Sequence, residues 1–167
     1  NNLRNKDHPL VSVIMPTYQE NLFLLKKSIL SILNQSFQYF EFIIIIEPND
    51  INTSFLRKNA AKNNKIKLIF NKKKLGFVTS LNIGIKYSRS DFIVRMDNDD
   101  YSDKLRLEKQ YCHMVENPEI DVLGSSIYLI EKSKKQLIKR NYPSTHEQIL
   151  KRMIFFSFTV RKNLILV

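Results

Sequence analysis

Cysteine is almost missing from this chain. Its single residue, Cys112, cannot form an internal disulfide, so a reducing, cytoplasmic setting is expected. Cys112 falls within a predicted helix, where it reads as a small packed hydrophobe. Long apolar runs are missing too: the longest, Phe42 to Ile46, is far short of a bilayer span and excludes a membrane-crossing helix. The opening N-N-L-R-N-K-D-H-P has no apolar core for a signal peptide, and with no initiator methionine a trimmed chain or fragment is expected. Two nucleotide-binding signatures are also absent. The first strand-to-helix turn lacks G-x-G-x-x-G, and G-x-x-x-x-G-K-[ST] occurs nowhere, which argues against dinucleotide and P-loop binding. No repeat or low-complexity linker divides the 167 residues, and that length suits a single domain spanning 1–167.

Acidic residues are scarce relative to basic ones, with 16 Asp and Glu against 27 Lys and Arg and a net charge of +11. Such an excess calls for an anionic partner: nucleic acid, acidic lipid headgroups or nucleotide phosphates. The lysines cluster at Lys62 to Lys74 and at Lys132 to Arg140, without the interleaved aromatics of a single-strand platform. No specific nucleic acid is expected. Most of the charge reads as a solvated surface, and peripheral association with an anionic membrane, at the inner face of the plasma membrane, is the expected location.

What is present is an alternation of apolar segments with helical periodicity. Val11 to Met15 reads as a strand halted by Pro16, and Leu22, Leu25, Ile29, Ile32 and Leu33 then recur at helical spacing. Phe40 to Ile46 is a nearly continuous apolar strand of the kind covered on both faces, followed by a helix capped by Asn52 or Thr53 and ending near Asn63. Ile66 to Phe70 is a third strand, and Val78, Leu81, Ile83 and Ile85 mark a helix that stops around Ser88. Phe92, Ile93, Val94 and Met96 make a fourth strand. Leu105, Leu107, Tyr111, Met114 and Val115 predict a helix closed by Asn117-Pro118. Val122 to Ile130 reads as a fifth strand with Gly124 inside it, and His146 to Phe156 as a short helix. Alternating strand and helix implies right-handed crossovers and a mostly parallel sheet. In such sheets the loops leaving strands for helices share one edge, where ligands bind. Four polar loops are therefore expected on one rim: Thr17 to Glu20, Glu47 to Asp50, Asn71 to Gly76 and Asp97 to Asp100.

The fourth loop carries the chemistry. In S-D-F-I-V-R-M-D-N-D-D-Y-S-D, Asp97, Asp99 and Asp100 crowd the end of a strand, where carboxylates repel unless a cation neutralises them. Oxygen ligands at a compact site suggest Mg²⁺ or Mn²⁺, with positions left for water and substrate phosphates. A plain acidic turn, with Asp103 capping the next helix, explains the same residues. A calcium loop using Asp97, Asp99 and Glu108 fails on Tyr101, on Ser102 and on the strand in front of it. A phosphohydrolase D-x-D would normally follow the first strand.

Taken in order, V-S-V-I-M-P-T-Y-Q-E, S-I-L-N-Q-S-F-Q-Y-F-E-F-I-I-I-I-E, L-G-F-V-T-S-L-N-I-G-I, R-M-D-N-D-D and R-L-E-K-Q resemble a family 2 glycosyltransferase. The resemblance covers Pro9 to Phe155, and residues 156–167 depart from it. It implies the GT-A fold, a Rossmann-like, mostly parallel α/β sheet flanked by helices. It also implies an inverting, hexosyltransferase-like enzyme that moves sugar from a nucleotide-diphospho-sugar, typically UDP-linked, to a glycan or lipid-linked acceptor hydroxyl in bacterial surface-polysaccharide synthesis. By that resemblance Thr17, Tyr18 and Glu20 line the nucleotide pocket. Glu47 stands where relatives have the second aspartate of a D-D-G-S-like turn that contacts the base, although the turn here is E-P-N-D. Gly76 and Asn82 lie beneath the nucleotide, with Lys74 beside a phosphate. Read from the residues alone, Gly76 need only begin a helix and Asn82 need only satisfy a backbone group. Asp97-Asn98-Asp99 is the D-x-D, in which Asp99 ligates the metal, Asp97 holds the ribose or a metal-bound water, and Asp100 is an alternative ligand. The family's catalytic base comes from a later segment, expected beyond Val167. Glu20, Glu47 and Glu108 are the substitutes this chain can offer. The unburied L-I-L-V end reinforces the expectation of a truncated chain that binds donor but transfers poorly. His113 and His146 are expected to be structural, and His8 lies near an end expected to be disordered.

Overall fold

The computed structural model describes residues 8–131, 136–141, 145 and 159–161. Four strand-then-helix units come first: β1 (Val11–Thr17), α1 (Leu22–Leu33), β2 (Phe40–Ile46), α2 (Thr53–Lys62), β3 (Ile66–Phe70), α3 (Phe77–Tyr87), β4 (Phe92–Arg95) and α4 (Arg106–Glu116). Short strands follow: β5 (Val122–Leu123), β6 (Ile127–Glu131), β7 (Gln136–Arg140) and β8 (Thr159–Arg161). The main sheet runs β3-β2-β1-β4-β8-β5. β1 pairs parallel with both β2 and β4, and β2 with β3, whereas β8 is antiparallel to β4 and β5. The sheet is mostly parallel, as the alternation predicts, and strand order reverses between β1 and β4, the position where such sheets bind ligands.

Every residue of β1 and β2 is buried because the sheet is covered on both faces. Val13, Met15, Phe42, Ile44 and Ile46 meet Leu25, Ile29 and Ile32 of α1, Leu56 of α2 and Leu107 of α4. Their neighbours of opposite parity, Ile14, Ile43 and Ile45, meet Leu81 of α3 on the other face. At about 1.5–3 kcal/mol for each fully buried aliphatic side chain, these two strands carry much of the burial energy among the described residues. On the α3 side the approach is close enough to require Gly84: a Cβ there would lie 2.3 Å from Ile14 Cγ2 and 2.9 Å from Ile45 Cδ1.

Several expectations are corrected. The predicted strand from Val122 to Ile130 is two strands. β5 joins the main sheet, and after a break at Gly124 to Ser126 the chain turns into β6, which pairs with β7 in a separate two-stranded sheet. Leu22, Val78 and Val115 fit helical spacing yet are exposed, and Leu105, expected within the helix, is the exposed residue just before α4 begins. Cys112 is exposed on α4 instead of packed. The three residues of β8 lie within 156–167, the segment expected to depart from the rest, yet they fill the gap between β4 and β5 in the main sheet. His146, the predicted helix to Phe156 and the final L-I-L-V lie outside the described residues. No helix among the described residues is long and apolar enough to cross a membrane.

Candidate functional site

Strand register explains how the four loops meet. Thr17 pairs with Ile46 and Ile46 with Phe70, so β1, β2 and β3 end level. β4 stops lower, with Arg95 opposite Ile14. The chain beyond Arg95 therefore climbs beside β1, and Asn98 Nδ2 donates to Thr17 Oγ1 at 3.3 Å.

Asp50, which sequence reasoning did not single out, pins the first two loops together. Its buried carboxylate accepts the Gln19 and Asn52 amides at 3.2 and 2.8 Å and the Thr17 hydroxyl at 3.4 Å. Asn52 makes no side-chain cap bond on α2. Its Nδ2 donates instead to the Glu20 carbonyl at 2.8 Å, a second tie between the same loops. Gln19 (φ 51) and Asn49 (φ 61) both hold left-handed backbone, an uncommon conformation outside glycine that clusters at functional loops.

Glu47 joins the second loop to the third. Its carboxylate accepts the Leu75 amide at 3.0 Å, the Gly76 amide at 3.0 Å and the Ser80 hydroxyl at 2.9 Å. Asn71 Nδ2 donates to Ser80 Oγ at 2.9 Å, which extends the network to the end of β3. α3 has no side-chain cap of its own, so Glu47 supplies both the acceptor and the negative charge that a helix start favours. Gly76 has φ 80 and ψ 173, a backbone region that side chains exclude. In this structure Glu47 holds the β3–α3 loop. Lys74 reaches the first loop, its ammonium 4.2 Å from the Tyr18 ring centroid. Asn82 lies on the exposed side of the second turn of α3, and none of these inter-loop bonds runs through it.

The aspartate loop is arranged unevenly. Both carboxylate oxygens of Asp97 accept from Arg95, at 3.0 and 2.9 Å, and the Arg95 guanidinium lies 4.7 Å from the Phe77 ring centroid. The Arg95 guanidinium thus engages both oxygens of Asp97, whereas among the described residues Asp99 and Asp100 form no salt bridge. Asp99 and Asp100 are exposed. Desolvation pushes the Asp100 pKa up, Asp97 and Asp99 push it further, and Arg106 and Arg95 offset only part of the rise. Arg106, at the start of α4, is itself lowered by burial against the pull of Asp100 and Asp97. It donates to the Arg95 carbonyl at 3.1 Å and to Gln110 at 3.2 Å, tying α4 to the end of β4.

Among the described residues no three His, Cys, Asp or Glu side chains form a ready-made metal cage. Asp99 and Asp100 still suit a hard cation that takes few protein ligands and keeps positions for phosphate oxygens. The calcium-loop alternative loses its last ligand, because Glu108 accepts from the Ser36 hydroxyl.

A buried polar hub that sequence reasoning missed supports this loop from behind. Gln35 Nε2 donates to the Ser31 and Asp103 carbonyls at 2.9 and 2.6 Å, and its Oε1 accepts the Leu107 amide at 3.0 Å. Ser28 Oγ donates to the Asp97 carbonyl at 3.0 Å. The available signal was the N-Q-S run closing an apolar helix. A shallow recess opens on this side, lined by Ser31, Gln35, Tyr101 and Lys104 among others, and none of the expected donor-site residues lines it.

Comparison with known proteins bears on the fold and the family. The chain is 39% identical over 129 residues to an uncharacterized glycosyltransferase, MJ1057, of Methanocaldococcus jannaschii, covering 76% of this chain and 44% of that protein. It is 34% identical over 149 residues to the O-antigen biosynthesis glycosyltransferase WbnJ of Escherichia coli, covering 87% and 57%. The structure of S. aureus TarS 1-349 matches with a TM-score of 0.75 at 18% identity, over 91% of this chain and 47% of that one. The same protein in complex with UDP-GlcNAc matches at 0.72 and 20% identity, over 91% and 45%. Mannosyltransferase PcManGT from Pyrobaculum calidifontis, in complex with GDP-Man and Mn²⁺, matches at 0.62 and 19% identity, over 72% and 36%. These structural likenesses establish the GT-A fold. The chain spans about half the length of the curated relatives it matches. The model of glycosyl transferase family 2 matches residues 12–164, nearly the whole chain, and the chain belongs to that family.

Proposed function

We propose that this chain binds a nucleotide-diphospho-sugar, UDP-linked, for inverting transfer to a hydroxyl of a glycan or lipid-linked acceptor in the building of cell-surface polysaccharide. The observation that carries this reading is the convergence of four loops at the β1/β4 switch point, with Asp99 and Asp100 left accessible. TarS in complex with UDP-GlcNAc and the O-antigen role of WbnJ support the donor and pathway class.

In this reading Tyr18, with Thr17 and Glu20 beside it, walls the nucleotide, and Lys74 swings from the Tyr18 ring to a phosphate. Glu47 and Gly76 shape the loop beneath the nucleotide, and Asn82 completes the α3 side. Asp97 and Asn98 face the ribose, Asn98 being already oriented by Thr17. Asp99 and Asp100 would hold Mn²⁺ or Mg²⁺, a choice supported by the Mn²⁺ in the PcManGT complex. When bound, such an ion supplies Lewis-acid stabilisation of the charge on the departing diphosphate.

Inversion also requires a base within hydrogen-bond reach of the acceptor hydroxyl. We assign that role to none of Glu20, Glu47 or Glu108: Glu20 accepts the Asn21 amide, Glu47 carries the β3–α3 loop and Glu108 accepts from Ser36. That observation favours a second reading, a nucleotide- or anion-binding module that does not turn over by itself. Calorimetry with UDP and a panel of nucleotide-diphospho-sugars, with and without Mn²⁺, tests the donor site, which is rejected if no UDP binding is seen in either condition. Transfer to an acceptor by the isolated chain would reject the second reading.

A further inference from the structure

The charge of this protein is concentrated in one segment. Residues 51–90 hold ten Lys and Arg and no Asp or Glu, whereas the other 127 residues hold 17 basic and 16 acidic side chains. A segment of +10 therefore accounts for nearly all of the +11 carried by the whole chain.

The fold places that segment at the free edge of the sheet. β3 is the outermost strand. α2 packs on one face through Leu56 and α3 on the other through Leu81, so their cations wrap around the edge. Contacts through cations tie each helix to the β3 strand between them. The Arg57 guanidinium of α2 lies 4.3 Å from the Phe70 ring centroid of β3. Lys67 of β3 lies 5.4 Å from the Tyr87 ring centroid of α3 and donates to the Tyr87 carbonyl at 3.4 Å. Lys72 and Lys73 are exposed on the next loop, and Lys74 continues the surface to Tyr18 on the rim. Among the described residues, Arg89 is the one cation of the ten that is ion-paired, to Glu41. Lysines on an edge strand discourage strand pairing, a task that Lys65 and Lys67 fulfil. It does not account for the charge on α2, on the loop or on α3.

We propose that this edge, α2, β3 and α3 together, is a docking surface for an anionic lipid bilayer. Each Lys or Arg held near such a surface strengthens binding by roughly fivefold. The exposed Tyr87 ring suits the headgroup level, where amphipathic aromatics and long cationic side chains settle, and the exposed Phe70 ring adds apolar contact. Single-stranded nucleic acid is disfavoured by the same contacts, because Arg57 and Lys67 already cover a face of the rings on which a base would stack. Docked by this edge, the protein carries Lys74 and the rim beside the membrane, within reach of a lipid-linked acceptor. Only that last step rests on the proposed function.

Flotation of the full chain with phosphatidylcholine vesicles containing about one-third phosphatidylglycerol tests the proposal, with ionic strength raised from about 0.1 M to about 0.5 M to shorten the screening length. The native chain is expected to float with anionic vesicles at low salt, to be released at high salt and to ignore pure phosphatidylcholine. The triple variant Lys58→Glu, Lys67→Glu, Lys72→Glu should lose on the order of 100-fold in partitioning. A control with the same charge change on exposed positions elsewhere, Lys27→Glu, Lys104→Glu, Lys109→Glu, should lose less than about a tenth of that. Equal losses in the two variants would overturn the proposal, as would no binding by the native chain, or tighter binding to duplex RNA than to vesicles at matched salt. UDP affinity measured on the same samples reports the donor site separately, so a failed flotation leaves the donor reading untouched.

Discussion

Two carboxylates at opposite edges of the sheet show how the same group is put to different use. Glu41, near the start of β2, is buried and accepts the Ser12 hydroxyl at 2.7 Å, the Arg89 amide at 2.7 Å and Arg89 Nε at 3.0 Å. Burial alone would raise its pKa, but these donors outweigh burial and hold it below the ordinary carboxylate value. The Ser90 amide donates to Ser12 Oγ at 3.2 Å, so the cluster closes over the turn into β4. Asp100, beyond the far end of β4, is also raised by desolvation, but its neighbours Asp97 and Asp99 add to the rise and the two arginines recover only part of it. One edge is electrostatically complete and serves stability. The other is left short of positive charge, the condition in which binding sites are commonly found.

The largest expected effect is at the incomplete edge. Asp99→Ala should reduce Mn²⁺-dependent UDP affinity by about 100-fold or more, given that even residues supporting a metal ligand are worth about 10–100-fold. Its thermal midpoint should stay within about 2 °C, as for a surface substitution. Calorimetry and a melting curve on the same sample would decide, and retained affinity would break the contrast between the edges.

The complete edge should respond in the opposite way. Glu41→Gln removes the charge from a buried cluster, which typically costs about 3–5 kcal/mol. Because the Arg89 side chain is 56% exposed, screening reduces this to about 2 kcal/mol. Urea unfolding should show that loss with UDP affinity unchanged; weakened UDP binding at full stability would mean that the edges are not separable.

Two glycines on α3 sharpen the division. Gly76→Ala meets no atom within 4 Å but forces a side chain into φ 80, a strain of about 1–2 kcal/mol exerted on the loop that Glu47 holds. Gly84→Ala meets Ile14 and Ile45 at the sheet surface and costs a similar amount by overpacking. The first should weaken donor binding and the second should not.

The smallest effect concerns pH. Glu41 titrates below its unfolded value of 4.5, so its stabilisation is complete at neutral pH and is lost as pH falls from there through the lower folded value. Asp100 titrates above its unfolded value of 3.8, so its penalty is present at neutral pH and fades as pH falls through the raised value. After solvent screening the Asp100 contribution is less than about 1 kcal/mol. Asp100→Asn should therefore stabilise slightly at pH 7 and lose that advantage in acid, whereas Glu41→Gln should abolish the acid-side decline. Unfolding free energies measured across pH on both variants check the two signs.

Much of this fold was legible because its strongest elements are also its most periodic. Phe40 to Ile46 is apolar at nearly every position, which only a strand covered on both faces tolerates. The four loops at one rim followed from the alternation of elements alone. Legibility failed where local pattern and long-range pairing disagree. Val122 to Ile130 is continuous by composition, yet its two halves join different sheets, and Thr159 to Arg161 has no pattern of its own until it lies between β4 and β5. The aspartates were visible as a group, but Arg95 precedes Asp97 by two residues, and nothing in that spacing reveals that its guanidinium holds both carboxylate oxygens. Asp50 and Gln35 were hidden for a related reason: their partners lie on other elements.

By itself the sequence determined the alternating α/β architecture, the burial of β1 and β2 and the crowding of carboxylates after the fourth strand, because these depend on periodicity and on neighbours along the chain. Tertiary structure alone decided which carboxylates are neutralised and which are left accessible, and that cations scattered over forty residues are gathered on α2, β3 and α3 around the free edge of the sheet. Electrostatic partnership depends on distance in space, and that distance is set by strand order and register.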